Sequence, residues 1–199
     1  MHSATQHDDA RQTNITSDQL NGLPLKAFTG KITVITDGSK LAKMLTEIEK
    51  HEVVGFDTET RPSFKKGQSF KVALIQLAIP DKVFLIRLHD TGLADELISL
   101  FQNPNILKAG VAIRDDIKFL QKLKSFEPAG FIELATLSKA SGLQVESVKK
   151  LAGLLLGFRI SKSAQTSNWE AATLTEKQLE YAATDAWVCL EIYKKLSLQ

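Results

Sequence analysis

Apolar residues fall along the chain in two rhythms, and each rhythm predicts a different element. Short runs rich in β-branched residues occur at 31–36 (KITVIT), 53–60 (VVGFDTET), 71–79 (KVALIQLAI), 82–88 (KVFLIRL) and 106–113 (ILKAGVAI), and these read as strands. Only Pro80 and Asp81 separate the third run from the fourth, which is short enough for an antiparallel hairpin. Helical spacing appears in Leu41, Met44, Leu45 and Ile48, with Ser39 as the expected cap, and again over 93–102. Ile117, Leu120 and Leu123 predict a helix that opens near Asp115, directly after the strand at 106–113. Residues 130–160 read as a short strand or turn followed by two helices, the second stopping at Gly157. A long final helix starts near Thr175, whose spacing to Gln178 makes a capping box, and it carries Leu179, Ala182, Ala183, Ala186, Leu190 and Tyr193.

Residues 1–22 are polar and lack either rhythm, so they are expected to form a flexible tail, with one domain over 23–199. Antiparallel strands come first, strand–helix crossovers follow, and helices close the chain. That order predicts an α/β fold with a mixed sheet of five to six strands and helices on both faces.

Composition narrows the chemistry. A chain of 199 residues suits one domain with a full core. The formal net charge of +2 leaves any affinity for nucleic acid to local clusters. A single cysteine, Cys189, excludes an intramolecular disulfide framework and a multi-cysteine zinc site, and it reads as an inert core thiol. The expected setting is therefore reducing, intracellular and cytoplasmic. No apolar stretch approaches the ~20 residues that span a bilayer, and the N-terminus lacks the apolar centre of a secretory signal. His51 and His89 have no neighbours in sequence that suggest ligation.

The acids change the picture further. Asp57 and Glu59 close an apolar strand two residues apart, so they project from one face, while Phe56, Thr58 and Thr60 project from the other. Two such carboxylates repel, and each raises the pKa of the other unless a cation compensates. A solvent-exposed strand end is the plainer reading of this pair alone. Asp115 and Asp116 sit where a strand runs into a helix, and only one of them is needed as an N-cap. Tyr181 and Asp185 lie four apart on the final helix, hence on one face, where a hydrogen bond at a packed surface is the plain alternative. Oxygen ligands from several elements, with no His or Cys cluster, point to Mg²⁺ or Mn²⁺. Two such ions ~4 Å apart can drive phosphodiester hydrolysis, and they need about four converging carboxylates.

In order and separation, "FDTET", "GVAIRDD" and "YAATDA" resemble the three exonuclease motifs of the DEDD superfamily. The ribonuclease D type and the Werner helicase exonuclease domain are the nearer likeness, over roughly residues 30–197, with "KVALIQLA" and "SNWEAATLTEKQLEYAATDA" adding to it. The resemblance implies a ribonuclease H-like fold. It implies Asp57, Glu59, Asp116 and Asp185 as ligands of two Mg²⁺ or Mn²⁺ ions, and Tyr181 as the residue that orients the attacking water. A sister group carries histidine five residues before the last aspartate; here that position is Glu180, so the tyrosine (DEDDy) form fits. Spacing from Gly110 favours Asp116 over its neighbour Asp115, which stays in competition.

"RPSFKKGQSFK" (61–71) interleaves Arg61, Lys65, Lys66 and Lys71 with Phe64 and Phe70, a pattern that can guide a single strand by phosphate contact and stacking. A solvated loop is the alternative. Lys162 sits where similar sequences often carry a lysine, and it is expected either to approach phosphate or to be an ordinary surface residue. Trp169 is expected in the core rather than stacked on a base. The expected activity is metal-dependent 3′–5′ exonucleolysis of single-stranded DNA or RNA ends, releasing nucleoside 5′-monophosphates. The competing reading is a non-catalytic nucleic-acid- or protein-binding module of the same fold. No membrane partner is expected, and a helicase or other processing factor would act in trans.

Overall fold

The computed structural model describes residues 12–62 and 70–198. A six-stranded sheet forms its centre, in the order β1-β4-β3-β2-β5-β6. The strands are β1 (Lys31–Ile35), β2 (Val53–Thr60), β3 (Val72–Ile79), β4 (Lys82–Arg87), β5 (Leu107–Gly110) and β6 (Phe131–Glu133). β2, β3 and β4 form an antiparallel meander, with Pro80 and Asp81 as the tight turn expected between the last two. β1 joins β4, β5 joins β2 and β6 joins β5, all in parallel. The sheet is mixed, as the element order predicts.

Eight α-helices are described: α1 (Ser17–Gly22), α2 (Leu41–Ile48), α3 (Leu88–Thr91), α4 (Asp95–Gln102), α5 (Ile113–Leu123), α6 (Leu134–Ala140), α7 (Val148–Leu151) and α8 (Glu176–Ser197). One face of the sheet buries Phe56, Ile75 and Phe84 against Met44 of α2, Phe101 of α4 and Leu120 of α5. The other face lies under α8, whose Ala182, Ala183 and Ala186 pack on Leu74, Ala78 and Leu85. Small residues let this helix approach the sheet closely. Gly55 of β2 completes that approach, because a Cβ there would lie 1.9 Å from the carbonyl oxygen of Ala186. Thr175 and Gln178 form the expected capping box at the start of α8.

Three local expectations need correction. Residues 12–22 do not behave as a tail: Thr16 and Gln19 build a capping box on α1, and Ile15 and Leu20 are each 5% exposed. Both side chains reach towards Gly153, where any Cβ would meet Leu20 at 2.4 Å. Two apolar residues in eleven are too few to make a rhythm, yet they suffice to anchor a short helix. Residues 1–11 lie outside the described part. Secondly, Asp37 rather than Ser39 supplies the cap ahead of α2, accepting from the Ser39 amide at 3.0 Å. Thirdly, α7 does not continue as an α-helix to Gly157, since Ala152–Leu156 widen into a π-helical stretch before Gly157 turns left-handed. Among the described residues, no helix is long and apolar enough to cross a membrane.

Candidate active site

Strand alternation sends Asp57 and Glu59 towards α8 and turns Phe56 and Thr58 to the opposite face, where Phe56 joins the core. The pairing of β2 with β3 shifts register between Glu59 and Thr60, an irregularity of the kind that re-aims side chains at a sheet end. From above, α8 presents Tyr181 and Asp185 one turn apart, both nearly buried. Carboxylate oxygens of Asp57, Glu59 and Asp185 lie within 4.8 Å of one another, the one such acidic group among the described residues. Gly55 and the α8 alanines set that spacing, by letting two backbones touch two residues away from Asp57.

Asp116 arrives from the other side. Here the expected helix start is corrected: α5 begins at Ile113, so Asp115 and Asp116 both sit inside its first turn and neither is the cap. Ala112 takes the cap position in a left-handed conformation, φ +60°. Glu133, at the end of β6, accepts from the Ala112 and Ile113 amides at 3.1 and 3.0 Å. A carboxylate from another element thus satisfies donors that an Asp cap would otherwise take. Asp115 is left exposed and paired with Lys118 at 3.2 Å. Asp116 is partly buried, and its Oδ1 accepts the Thr58 hydroxyl proton at 2.6 Å. The two aspartates thus differ in surroundings, Asp115 facing solvent and Asp116 lying against β2, and Asp116 stands outside the trio.

Electrostatics explain why such a cluster is unusual. Burial first, then the charges of Asp185 and Asp116, drive the Asp57 carboxyl well above its ordinary pKa. Burial first, then the charges of Asp57, Asp185 and Asp116, raise Glu59 to about 10. Asp116 is raised by burial to about 6, with the Thr58 hydrogen bond pulling the other way. Asp185 is also raised by burial to about 6, opposed by its hydrogen bond from Tyr181 and by the charge of Lys162. Four carboxylates that resist ionisation together need more positive charge than Lys162, the lysine whose charge lowers the Asp185 pKa, supplies. An all-oxygen donor set without His or Cys suits hard divalent cations. Asp57, Glu59 and Asp185 could hold such an ion directly, with Asp116 a short reach away.

A cleft of about 290 Å³ opens onto this group, and Tyr181, Lys162, Lys149 and Gln165 share its lining with the trio. Lys162 is thus brought to the acids. Arg61 is not: it lies over the Phe70 ring at 5.0 Å and 3.5 Å from Glu170, away from that cleft. Lys71 lines a separate groove beside His89 and Lys124. Lys65 and Lys66 fall outside the described residues. Trp169 is fully buried, as expected. Burial raises the Cys189 thiol pKa, in keeping with an inert core residue. Thr58 and Glu133 escaped sequence reasoning because each acts on a residue distant in the chain. The alternation that turns Thr58 off the face of Asp57 and Glu59 was a signal for Thr58 alone, and nothing local marked Glu133.

A family model described as 3′-5′ exonuclease matches residues 32–199. The mouse bifunctional 3′-5′ exonuclease/ATP-dependent helicase WRN is 32% identical over 203 residues, covering 97% of this chain. This chain spans only 14% of that relative. Among solved structures, the Nibbler EXO domain of Aedes aegypti superposes with a TM-score of 0.76 at 28% identity, covering 87% of this chain and 91% of that one. Escherichia coli RNase D gives 0.76 at 25% identity, over 84% of this chain and 44% of that one. The ribonuclease H-like sheet is common to them. A match across five-sixths of the chain, with the acidic trio at the sheet end that the motifs mark out, makes this chain a member of the 3′-5′ exonuclease family.

Proposed function

We propose that this chain hydrolyses the terminal phosphodiester at the 3′ end of single-stranded nucleic acid, with Asp57, Glu59, Asp116 and Asp185 holding two Mg²⁺ or Mn²⁺ ions. The observation that carries the reading is the convergence of three carboxylates within 4.8 Å at the floor of a cleft shared with Tyr181 and Lys162. Bound there, two such cations would supply Lewis-acid stabilisation of both the attacking and the leaving oxygen. The chain's own residues do the rest. Tyr181 holds the attacking water in line by a hydrogen bond, and Lys162 brings positive charge to the phosphate. Water adds to phosphorus, the P–O3′ bond breaks, and the shortened strand keeps a 3′-hydroxyl while a nucleoside 5′-monophosphate departs.

Arg61 and Lys71, with Lys65 and Lys66 of the same basic run in the sequence, would guide the strand by neutralising its phosphates. The mouse relative's name joins an exonuclease to a helicase, which supports a strand-opening partner for this chain. Matched DNA and RNA oligonucleotides, labelled at either end, test the proposal. With Mg²⁺, a 5′ label should yield a ladder of shortening strands, a 3′ label should yield mononucleotide at once, and chelator or Asp185→Asn should stop both. Retention of oligonucleotide without any cleavage would favour the binding-module alternative, and the faster of the two substrates names the natural one.

A further inference from the structure

Arg87 ends β4 on the same cross-sheet row as Glu59, one strand beyond Leu74. It is 4% exposed, so it cannot touch a strand in the cleft. Its guanidinium instead donates from Nη1 to the Ala172 carbonyl at 2.9 Å and from Nη2 to the Ala171 carbonyl at 2.5 Å. Its Nε is buried without a hydrogen-bond partner, and the Asp90 carboxylate stands off at 3.9 Å. A buried cation held mainly by neutral carbonyls is a weak way to gain stability, and an apolar side chain of similar volume is often as good. What the fork does provide is geometry.

The two carbonyls belong to the irregular segment just after Trp169. Just before it, the Asn168 carbonyl accepts from Nε2 of Gln178 on α8 at 3.2 Å. Trp169 is therefore pinned on both flanks. Its ring is fully buried, 5.9 Å from the ring of Tyr181 and tilted by 35°. Tyr181 in turn faces Asp185.

We propose that Arg87 is a positioning residue: by clamping the 171–172 carbonyls it fixes Trp169 against Tyr181 and so sets where the phenol hydroxyl stands. The inference rests on the nuclease reading above and adds a part to it. A displacement of even 1 Å at a reacting group can cost a factor on the order of 10² in rate. Loosening the turn therefore slows catalysis without removing any group that touches substrate.

A double-mutant cycle on single-turnover cleavage reads this directly. Arg87→Met keeps the stem and removes the fork; it should lower kcat roughly tenfold and leave KM and the Mn²⁺ half-saturation unchanged. In a Tyr181→Phe background the same substitution should cost less than about twofold, because the hydroxyl it positions is already gone. Arg87→Lys, which retains charge but not the fork, should recover only part of the loss. Equal losses in both backgrounds, or no loss at all, overturn the proposal. If Arg87→Met does not fold, Trp169→Phe goes through the same cycle under the same criteria. Should the wild-type chain cleave nothing, the nuclease reading fails separately, and the clamp is then judged by fluorescence. With Trp187→Phe leaving Trp169 as the sole indole, Arg87→Met should red-shift the emission, and an unchanged spectrum overturns the clamp.

Discussion

The Tyr181 phenol is held in its protonated form in the metal-free chain. Burial, then the charges of Asp185 and Glu59, push its pKa above the usual ~10 of a phenol. What it can do is donate or accept one directed hydrogen bond. Tyr181→Phe should accordingly keep Mn²⁺ and strand affinity while lowering kcat by roughly 10²-fold, about 2.7 kcal/mol of transition-state stabilisation. Single-turnover cleavage at saturating Mn²⁺ measures it, and a Phe variant at the wild-type rate would reduce Tyr181 to a packing residue. The neighbouring aspartates make a paired expectation. Asp116→Asn should remove activity, whereas Asp115→Asn breaks only an exposed ion pair and should change unfolding free energy by less than about 1 kcal/mol. A reversed pattern of kinetic loss would put the second motif in the wrong register. That Asp57 and Glu59 share one face, and Tyr181 and Asp185 another, was legible because strand and helix periods fix it, whereas the meeting of the two pairs was implied only by the family resemblance. Thr58, Glu133 and Arg87 were not legible, because each finds its partner across 20 or more residues of chain.

At the scale of elements, the approach of α8 to β2 decides whether the acids meet. A side chain at Gly55 collides with backbone atoms of Ala186 and Leu190, neither of which can rotate away. Gly55→Val should therefore push the helix off the sheet, destabilising the chain by roughly 1–3 kcal/mol or more in a urea titration, with nuclease activity falling further than stability. A variant that melts and cleaves like wild type would show that the two backbones have room to spare. Long apolar runs made β2 to β5 readable, and the capping box made the start of α8 readable. The start of α5 was hidden because its cap is not local: Glu133 supplies it from β6, so the Asp-Asp pair looked like the boundary. Lys108 is a similar case. It lies fully buried within a strand read as apolar, its ammonium donating to the carbonyls of Leu100, Asn103 and Ile106 at 2.7–3.1 Å. No pattern of neighbours in sequence announces three acceptors gathered by the end of α4.

For the whole molecule, the acidic cluster should make stability depend on pH and on cations. Asp116 and Asp185 are raised in the folded chain to about 6, so folding favours their protonated forms. That stabilisation is fully present below the unfolded carboxyl pKa of ~4 and is lost as pH rises through the folded value. Metal-free protein should thus melt at a lower temperature at pH 7.5 than at pH 5. A cation bound only to the folded state reverses the loss, by about 2.7 kcal/mol at a hundredfold excess over its Kd. The most direct test of the account is the melting temperature of wild type and Asp57→Asn at pH 7.5, each with and without millimolar Mn²⁺. Relief of repulsion should make metal-free Asp57→Asn at least as heat-resistant as wild type. Mn²⁺ should raise the wild-type Tm by roughly 5–10 °C and the variant's by little. A wild-type Tm indifferent to Mn²⁺, or a variant that responds as strongly as wild type, would contradict the assignment of these carboxylates as the metal site.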